Sequence, residues 1–145
     1  MARPDARRRH ALQALLAWPA LGLAGCATVG PGGAMRSTVR GTITWRERIA
    51  LPPDAEIIVR LQDVSRMDAP ATVLAEQRIR ADGRQPPFAF ALEVDASRLD
   101  ARMRCTVSGR VEQAGRLLFI NDTAYPVLTQ GAPMQADLLL VAVKH

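Results

Sequence analysis

The sequence predicts an all-β fold, a single antiparallel β-sandwich of seven or eight strands of the immunoglobulin or transthyretin type. After residue 37, most segments place an apolar residue at every second position, which is the period of a strand with one buried face. Turn residues divide these segments at short intervals, and no segment is convincingly helical. The 145 residues, of which 48% are hydrophobic, are enough for one such domain.

A proline-rich turn separates the first two predicted strands. In "TVRGTITWRER" (residues 38–48) the apolar face consists of Val39, Gly41, Ile43 and Trp45. In "AEIIVRLQDV" (residues 55–64) it consists of Ile57, Val59 and Leu61. The "LPPDA" between them cannot continue a central strand, because its two prolines have no amide hydrogen to donate.

The later strands follow the same rule. "PFAFALEV" (residues 87–94) alternates through Phe88, Phe90, Leu92 and Val94, and "RMRCTVSGRVEQ" (residues 102–113) through Met103, Cys105, Val107, Gly109 and Val111. Gly115 marks a hairpin that leads into "RLLFIND", and "QADLLLVAV" forms the last strand. Residues 71–81 are predicted as a further strand, although "LAEQRIRA" also fits a helix.

The N-terminal segment has the composition of an export signal. Residues 1–10 are basic and residues 11–24 are apolar, a run shorter than the roughly 20 residues needed to span a bilayer. The four residues Leu23, Ala24, Gly25 and Cys26 resemble a bacterial lipobox. The resemblance implies that residues 1–25 are a cleaved lipoprotein signal peptide and that Cys26 carries a thioether-linked diacylglycerol.

The predicted domain organisation follows from this processing site. Residues 26–37 are small and glycine-rich and form a flexible, lipid-anchored tether, and residues 38–145 form the β domain, expected to be monomeric. Ala27 after the cysteine favours, by resemblance to enterobacterial lipoproteins, the outer membrane with the domain facing the periplasm. Arg8 and Arg9 leave twin-arginine export open beside general secretion.

The charge distribution argues against nucleic acid as a partner. The chain has a net charge of +5, but four arginines and one aspartate lie in residues 1–25, which leaves +2 for the rest. Acidic and basic residues alternate along that remainder, as on an ordinary solvated surface, without the basic patch that nucleic-acid binding requires.

The residues needed for catalysis or metal binding are scarce. The two histidines are His10, in the signal peptide, and His145, so neither a nucleophile–histidine arrangement nor a metal site is expected, and no cofactor beyond the lipid. Asp95, Asp100 and Asp122 could serve as paired carboxylates in glycoside hydrolysis. Their sequence context favours turns and a capped helical turn instead.

Two further groups of residues are candidates for a role. Cys105 lies on an apolar strand face and, with Cys26 lipidated, has no disulfide partner, so we interpret it as a core residue. Asn121, Asp122 and Tyr125 are the candidate surface site for a partner, since Tyr125 is the one aromatic residue placed near a rim. A tyrosine hydrogen-bonded at a corner and a polar strand exit are the structural alternatives for these three.

Three separate stretches, "VRGTITWRERIALPPDAEIIVRLQDVS", "PFAFALEVD" and "GRLLFINDTAYPVLT", together with the lipobox, resemble the YbaY family of lipoproteins. That family is related to the YscW lipoprotein chaperones, or pilotins, of type III secretion systems. The resemblance implies a small, membrane-tethered β domain; a pilotin binds a secretin subunit and helps it reach the outer membrane.

The function predicted from these observations is that of a lipid-anchored, non-catalytic binding module that assists the assembly or stability of an envelope component. Edge strands could accept an extended partner segment by strand addition. Two alternatives stay open: an envelope enzyme or carbohydrate-binding protein acting on cell-surface polysaccharide, and a structural stress lipoprotein without a dedicated partner.

Overall fold

The computed structural model describes residues 33–144; the predicted signal peptide, the lipobox with Cys26, most of the tether and His145 lie outside them. The described residues form eight strands and one short 3₁₀ turn, with no α-helix, which confirms the all-β prediction. No helix among them is long and apolar enough to cross a membrane. The strands are β1 (Arg36–Trp45), β2 (Glu56–Asp63), β3 (Thr72–Arg80), β4 (Phe88–Asp95), β5 (Cys105–Gln113), β6 (Arg116–Ile120), β7 (Tyr125–Pro126) and β8 (Gln135–Ala142), with the 3₁₀ turn at Ala96–Arg98.

The strands follow one hydrogen-bonded path in the order β3-β2-β5-β6-β8-β1-β4, with β7 paired to β5. This nearly closed, barrel-like sheet differs from the predicted two-sheet antiparallel sandwich. One pair, β1 with β8, runs parallel. The period of two identifies which face of each strand is buried, but it carries no information about which strands pair, so a sandwich and a barrel look alike in sequence.

Side chains from alternate positions of the strands fill the interior. The faces predicted for β1, β2, β4 and β5 are the buried ones; their fully buried members include Val39, Ile43, Ile57, Leu61, Leu92, Val107 and Val111. Cys105 is buried among them as a free thiol, as predicted. Trp45 closes one end of this core, with its ring stacked at 4.8 Å from the ring of Phe119 and 6.1 Å from that of Phe88.

Two glycines of the predicted apolar faces allow this packing. A Cβ atom on Gly41 would lie 1.7 Å from the carbonyl oxygen of Ala136, so the close approach of β1 and β8 requires glycine there. A Cβ atom on Gly109 would lie 2.9 Å from the Cδ1 atom of Ile43 inside the core. Glycine is therefore needed at both positions because a larger side chain would not fit, and not because the backbone adopts a conformation that only glycine allows.

The two edge strands, β3 and β4, pack beside each other. The side-chain oxygen of Gln77 on β3 accepts a hydrogen bond of 2.8 Å from the backbone N–H of Ala91 on β4. On the outer surface, Arg60 on β2 and Arg78 on β3 are both paired with Glu76. The edges that strand addition would use are therefore turned toward each other.

The strand directions define two ends of the barrel. At one end β1, β3, β5 and β8 begin and β2 and β4 finish; we call it the tether end, because the chain enters β1 there at Arg36. At the opposite end, the distal end, Trp45 finishes β1 and Phe88 begins β4. The loop of residues 46–55 crosses the distal end on its way to β2.

Candidate functional site

The predicted surface residues Asn121, Asp122 and Tyr125 lie together after β6. Asn121 accepts a hydrogen bond from the backbone N–H of Gly109 and donates one to the carbonyl of Thr123, both 2.9 Å long. The Tyr125 hydroxyl accepts a 2.9 Å hydrogen bond from the backbone N–H of Leu139. These contacts are those of a strand exit and a tyrosine corner, the structural alternative that the sequence offered.

The candidate catalytic carboxylates are engaged in turns. Asp95 caps the 3₁₀ turn by accepting hydrogen bonds from the backbone N–H and hydroxyl of Ser97, which lower the pKa of Asp95. Asp100 accepts a 2.8 Å hydrogen bond from the backbone N–H of Arg102. Asp122 is exposed and accepts from the Thr123 hydroxyl. No group of three metal-ligating side chains occurs among residues 33–144.

An apolar recess of about 350 Å³ lies at the tether end beside Cys105, between the end of β2 and the loop after β7. The loop is held in place: the Thr129 hydroxyl accepts from the backbone N–H of Cys105, and the Gln130 amide donates to the carbonyl of Met103. Burial raises the pKa of the Cys105 thiol, so this thiol is poorly suited to act as a nucleophile. The recess is therefore bordered by a loop whose Thr129 and Gln130 side chains are already hydrogen-bonded, and Arg104 is among its other lining residues.

The loop at the distal end, residues 46–55, has fewer hydrogen bonds than the loop after β7. Residues 46–55 separate β1 from β2, and the prolines at positions 52 and 53 have no amide hydrogen for strand pairing. The loop is fixed at its far side, where the backbone N–H of Leu51 donates a 3.1 Å hydrogen bond to the side-chain oxygen of Gln85. Leu51 is buried in the core, whereas Ile49, two residues earlier, is 55% exposed. Within the described part of the chain, the backbone groups of residues 48–50 make no hydrogen bond.

Ile49 and Ala50 form a ridge between two recesses, which we call together the distal groove. The first, of about 390 Å³, is bounded by residues 44–50 with Gln85 and Pro86. The second, of about 170 Å³, is lined by residues 49–52, Arg116, Leu118, Phe119, Ala142 and Val143. The groove is therefore mainly apolar along the ridge, with arginine side chains at its borders.

Two residues that line the first recess each have a buried polar atom without a partner among the described residues. The indole N–H of Trp45, a residue only 6% exposed, donates to no group in residues 33–144. The Oε2 atom of Glu47 accepts from none there, although its Oε1 atom accepts a 3.4 Å hydrogen bond from the backbone N–H of Ala142. Leaving such groups unpaired costs about 1–3 kcal/mol each, so a native protein rarely tolerates them without a reason.

A hydrogen-bond donor and an acceptor beside apolar recesses match the groups that a peptide offers, namely its backbone carbonyl and N–H groups and its apolar side chains. A peptide carbonyl can accept from the Trp45 indole, and a peptide N–H can donate to the Glu47 carboxylate. An apolar side chain can occupy a recess beside Ile49. Trp45 lies in the core, as its alternating position predicts, whereas the sequence contains little indication of the groove. The one signal is the short apolar run of residues 49–51 between arginines and prolines.

The family relationship agrees with this architecture. Residues 34–140 match the family described as type III secretion system lipoprotein chaperone (YscW). Because the match covers most of the chain, the chain belongs to this family of lipoprotein chaperones, and the resemblance to the YbaY and YscW lipoproteins is confirmed.

Two relatives show how far the similarity extends. The chain is 41% identical over 107 residues to the "uncharacterized lipoprotein YbaY" of Escherichia coli (strain K12), which covers 74% of this chain and 56% of that protein. The chain thus spans little more than half the length of that relative. It also resembles the solved structure of an alternative pilotin from the type II secretion system of Vibrio cholerae. The TM-score is 0.73 at 42% identity, covering 77% of this chain and all of that one.

Proposed function

We propose that this chain is a non-catalytic lipoprotein, anchored by lipid on Cys26, that binds a segment of an envelope protein in its distal groove and assists the assembly of that protein. The family membership and the likeness to a pilotin support this role. By the same relationship, the partner is a subunit of a secretin, and the domain faces the periplasm from the outer membrane.

The observation that carries the proposal is the pair of unpartnered buried atoms, the indole N–H of Trp45 and Oε2 of Glu47, in two residues that line the first recess. A partner backbone that reached both atoms would recover two hydrogen bonds that the free domain lacks. Both atoms are shielded from solvent, so residues 46–50 have to move aside for the partner. The absence of hydrogen bonds from residues 48–50 makes that movement inexpensive.

The lipid anchor would set where this binding occurs. A diacylglycerol on Cys26 with a further acyl chain provides stable membrane attachment, since each buried CH₂ contributes about 0.8 kcal/mol. The tether then confines the domain to the membrane surface. A partner segment held there stays beside the bilayer into which the assembled protein inserts.

The test measures membrane attachment and partner recovery in the native host. Tagged chain is solubilised from membranes, and the co-purifying envelope proteins are quantified by mass spectrometry for the unsubstituted chain, Ile49→Asp and Ile120→Asp. Ile120 is a matched control, an exposed isoleucine on β6 outside the distal groove. We expect Ile49→Asp to reduce the recovery of one envelope protein at least about tenfold, equivalent to about 1.4 kcal/mol of binding free energy, and the control to retain it.

The anchor is tested separately with Cys26→Ser. We expect this variant to leave the membrane fraction and the partner to accumulate unassembled. Equal recovery of every envelope protein with Ile49→Asp and with Ile120→Asp would contradict the groove. A Cys26→Ser chain that remained in the membrane fraction would contradict the anchor and leave the groove standing.

A further inference from the structure

The exposed apolar side chains of the domain are concentrated at the tether end. Met35 immediately precedes β1, Met67 lies in the loop between β2 and β3, and Met134 precedes β8. They are 81%, 88% and 52% exposed. Val73, near the start of β3, is a fourth exposed apolar side chain at this end. The distal end carries Ile49, which the proposed function uses.

Arginines that form no salt bridge within the described residues accompany these side chains. Arg66 neighbours Met67, and Arg98, Arg102 and Arg104 lie between β4 and β5, at the same end; all four are exposed. None forms a salt bridge with another residue of the described chain. Of the nearby carboxylates, Asp63, Asp95 and Asp100 accept hydrogen bonds within their own turns, whereas Asp68, beside Met67, is exposed and pairs with no described residue. Cationic heads on long apolar stems beside methionines suit the boundary between lipid headgroups and acyl chains.

The chain itself brings this end to the membrane. Cys26 and Arg36 are ten positions apart in the sequence. Even fully extended, ten residues span at most about 35 Å. An attached lipid would therefore hold the tether end within a few tens of ångströms of the bilayer, where weak contacts become effective because the local concentration is high.

We propose that the tether end docks on the bilayer surface, with Met35, Met67 and Met134 entering the headgroup region and the four arginines meeting lipid phosphates. This inference rests on the lipidation of Cys26 that the proposed function includes. Docking orients the barrel with its axis away from the membrane. The distal groove then faces the periplasm, where a partner segment can approach it.

The experiment uses the full-length acylated chain reconstituted into vesicles of phosphatidylethanolamine and phosphatidylglycerol. Met67→Cys and Ile49→Cys are labelled with the same polarity-sensitive fluorophore, and the unsubstituted chain serves as the blank because its Cys105 is buried. Lipids carrying a nitroxide at the headgroup then act as short-range quenchers. We expect the label at residue 67 to be blue-shifted and quenched at least twofold more than the label at residue 49.

A second variant tests the apolar contacts without a label at the docking end. Met35→Asp together with Met67→Asp and Met134→Asp, built on the Ile49→Cys chain, should raise the quenching at residue 49 as the barrel loses its orientation. Equal quenching at residues 49 and 67 in the acylated chain would overturn the docking and leave the distal groove untouched. An intact mass without acyl groups on Cys26 would overturn the docking together with the anchor, and partner recovery by the groove would still be measurable.

Discussion

The side-chain oxygen of Gln77 accepts a 2.8 Å hydrogen bond from the backbone N–H of Ala91, so a side chain on one edge strand satisfies the backbone of the other. This contact joins β3 to β4 where no main-chain ladder does. An unpaired edge is a template for association with another chain. The Gln77 side chain therefore satisfies one backbone donor of the β4 edge and helps to hold β3 beside β4.

Gln77→Leu should weaken the contact between β3 and β4. The variant keeps the approximate volume but removes the acceptor, so we expect a loss of about 0.5–1.5 kcal/mol in the free energy of unfolding. Amide exchange at Ala91 should become faster. Gln62→Leu is the matched control, since the Gln62 side chain makes no hydrogen bond to another described residue. An unchanged rate of amide hydrogen exchange at Ala91 in Gln77→Leu would show that the contact between β3 and β4 does not depend on this hydrogen bond.

Gly41→Ala should be far more destabilising than a surface glycine substitution. The new Cβ atom would lie 1.7 Å from the Ala136 carbonyl oxygen, so β1 and β8 would have to separate. We expect a loss of at least about 3 kcal/mol in chemical denaturation, the range of severe core and backbone changes. Gly33→Ala, whose Cβ atom would meet nothing within 4 Å, should be neutral. Equal stability of both variants would contradict the parallel β1–β8 pairing.

Cys105 should be unreactive in the folded protein. Burial raises the pKa of its thiol, which lowers the thiolate fraction at neutral pH and adds to the steric protection. Maleimide labelling should therefore proceed only at the rate of unfolding. After denaturation, the acylated chain should take up one equivalent of maleimide, because the chain has two cysteines and Cys26 is blocked. Uptake of two equivalents would show that Cys26 is free.

The Asp137 carboxylate should couple stability to pH in the acidic range. Its pKa is lowered from 3.8 by hydrogen bonds from the Thr42 hydroxyl and from Gln135, and the Thr42 backbone N–H adds to the effect. A lowered folded-state pKa means that this stabilisation is present above about pH 4 and is lost as the pH falls through the folded value. We expect Asp137→Asn to be destabilised at pH 7 and to lose less stability than the unsubstituted chain between pH 5 and pH 2.

The control for this prediction is Asp68→Asn, which removes an exposed carboxylate with no hydrogen bond or ion pair to another described residue. Its urea midpoint should follow that of the unsubstituted chain at every pH. If Asp137→Asn followed it as well, the bridge from Asp137 to Thr42 would contribute nothing to joining β8 and β1.

Much of the fold was accessible from sequence because it depends on local alternation. The faces of β1, β2, β4 and β5 are as predicted, and the turn at Asp95 is capped as its composition indicated. The parallel pairing of β1 with β8 was not accessible, since it joins strands from opposite ends of the chain. Gly41 was placed on the apolar face, but its close approach to Ala136 is a property of that long-range pairing.

The candidate site was less predictable than the fold. The sequence predicts Asn121 and Tyr125 as polar and aromatic residues near a rim, and in the structure both side chains are occupied by hydrogen bonds to the backbone. The distal groove depends on an apolar residue, Ile49, and on the lack of partners for Trp45 and Glu47. A missing hydrogen bond has no residue signature, so it becomes visible only in three dimensions.

Site-specific photo-crosslinking in living cells tests whether the distal groove binds one dedicated partner. A benzophenone amino acid is placed at residue 49 in the distal groove and, in a separate strain, at residue 101, an exposed position outside it. We expect one discrete adduct with a single envelope protein from residue 49, lost when Glu47→Ala is added, and none from residue 101. Identical diffuse adducts from both positions would contradict a dedicated partner site at the distal end.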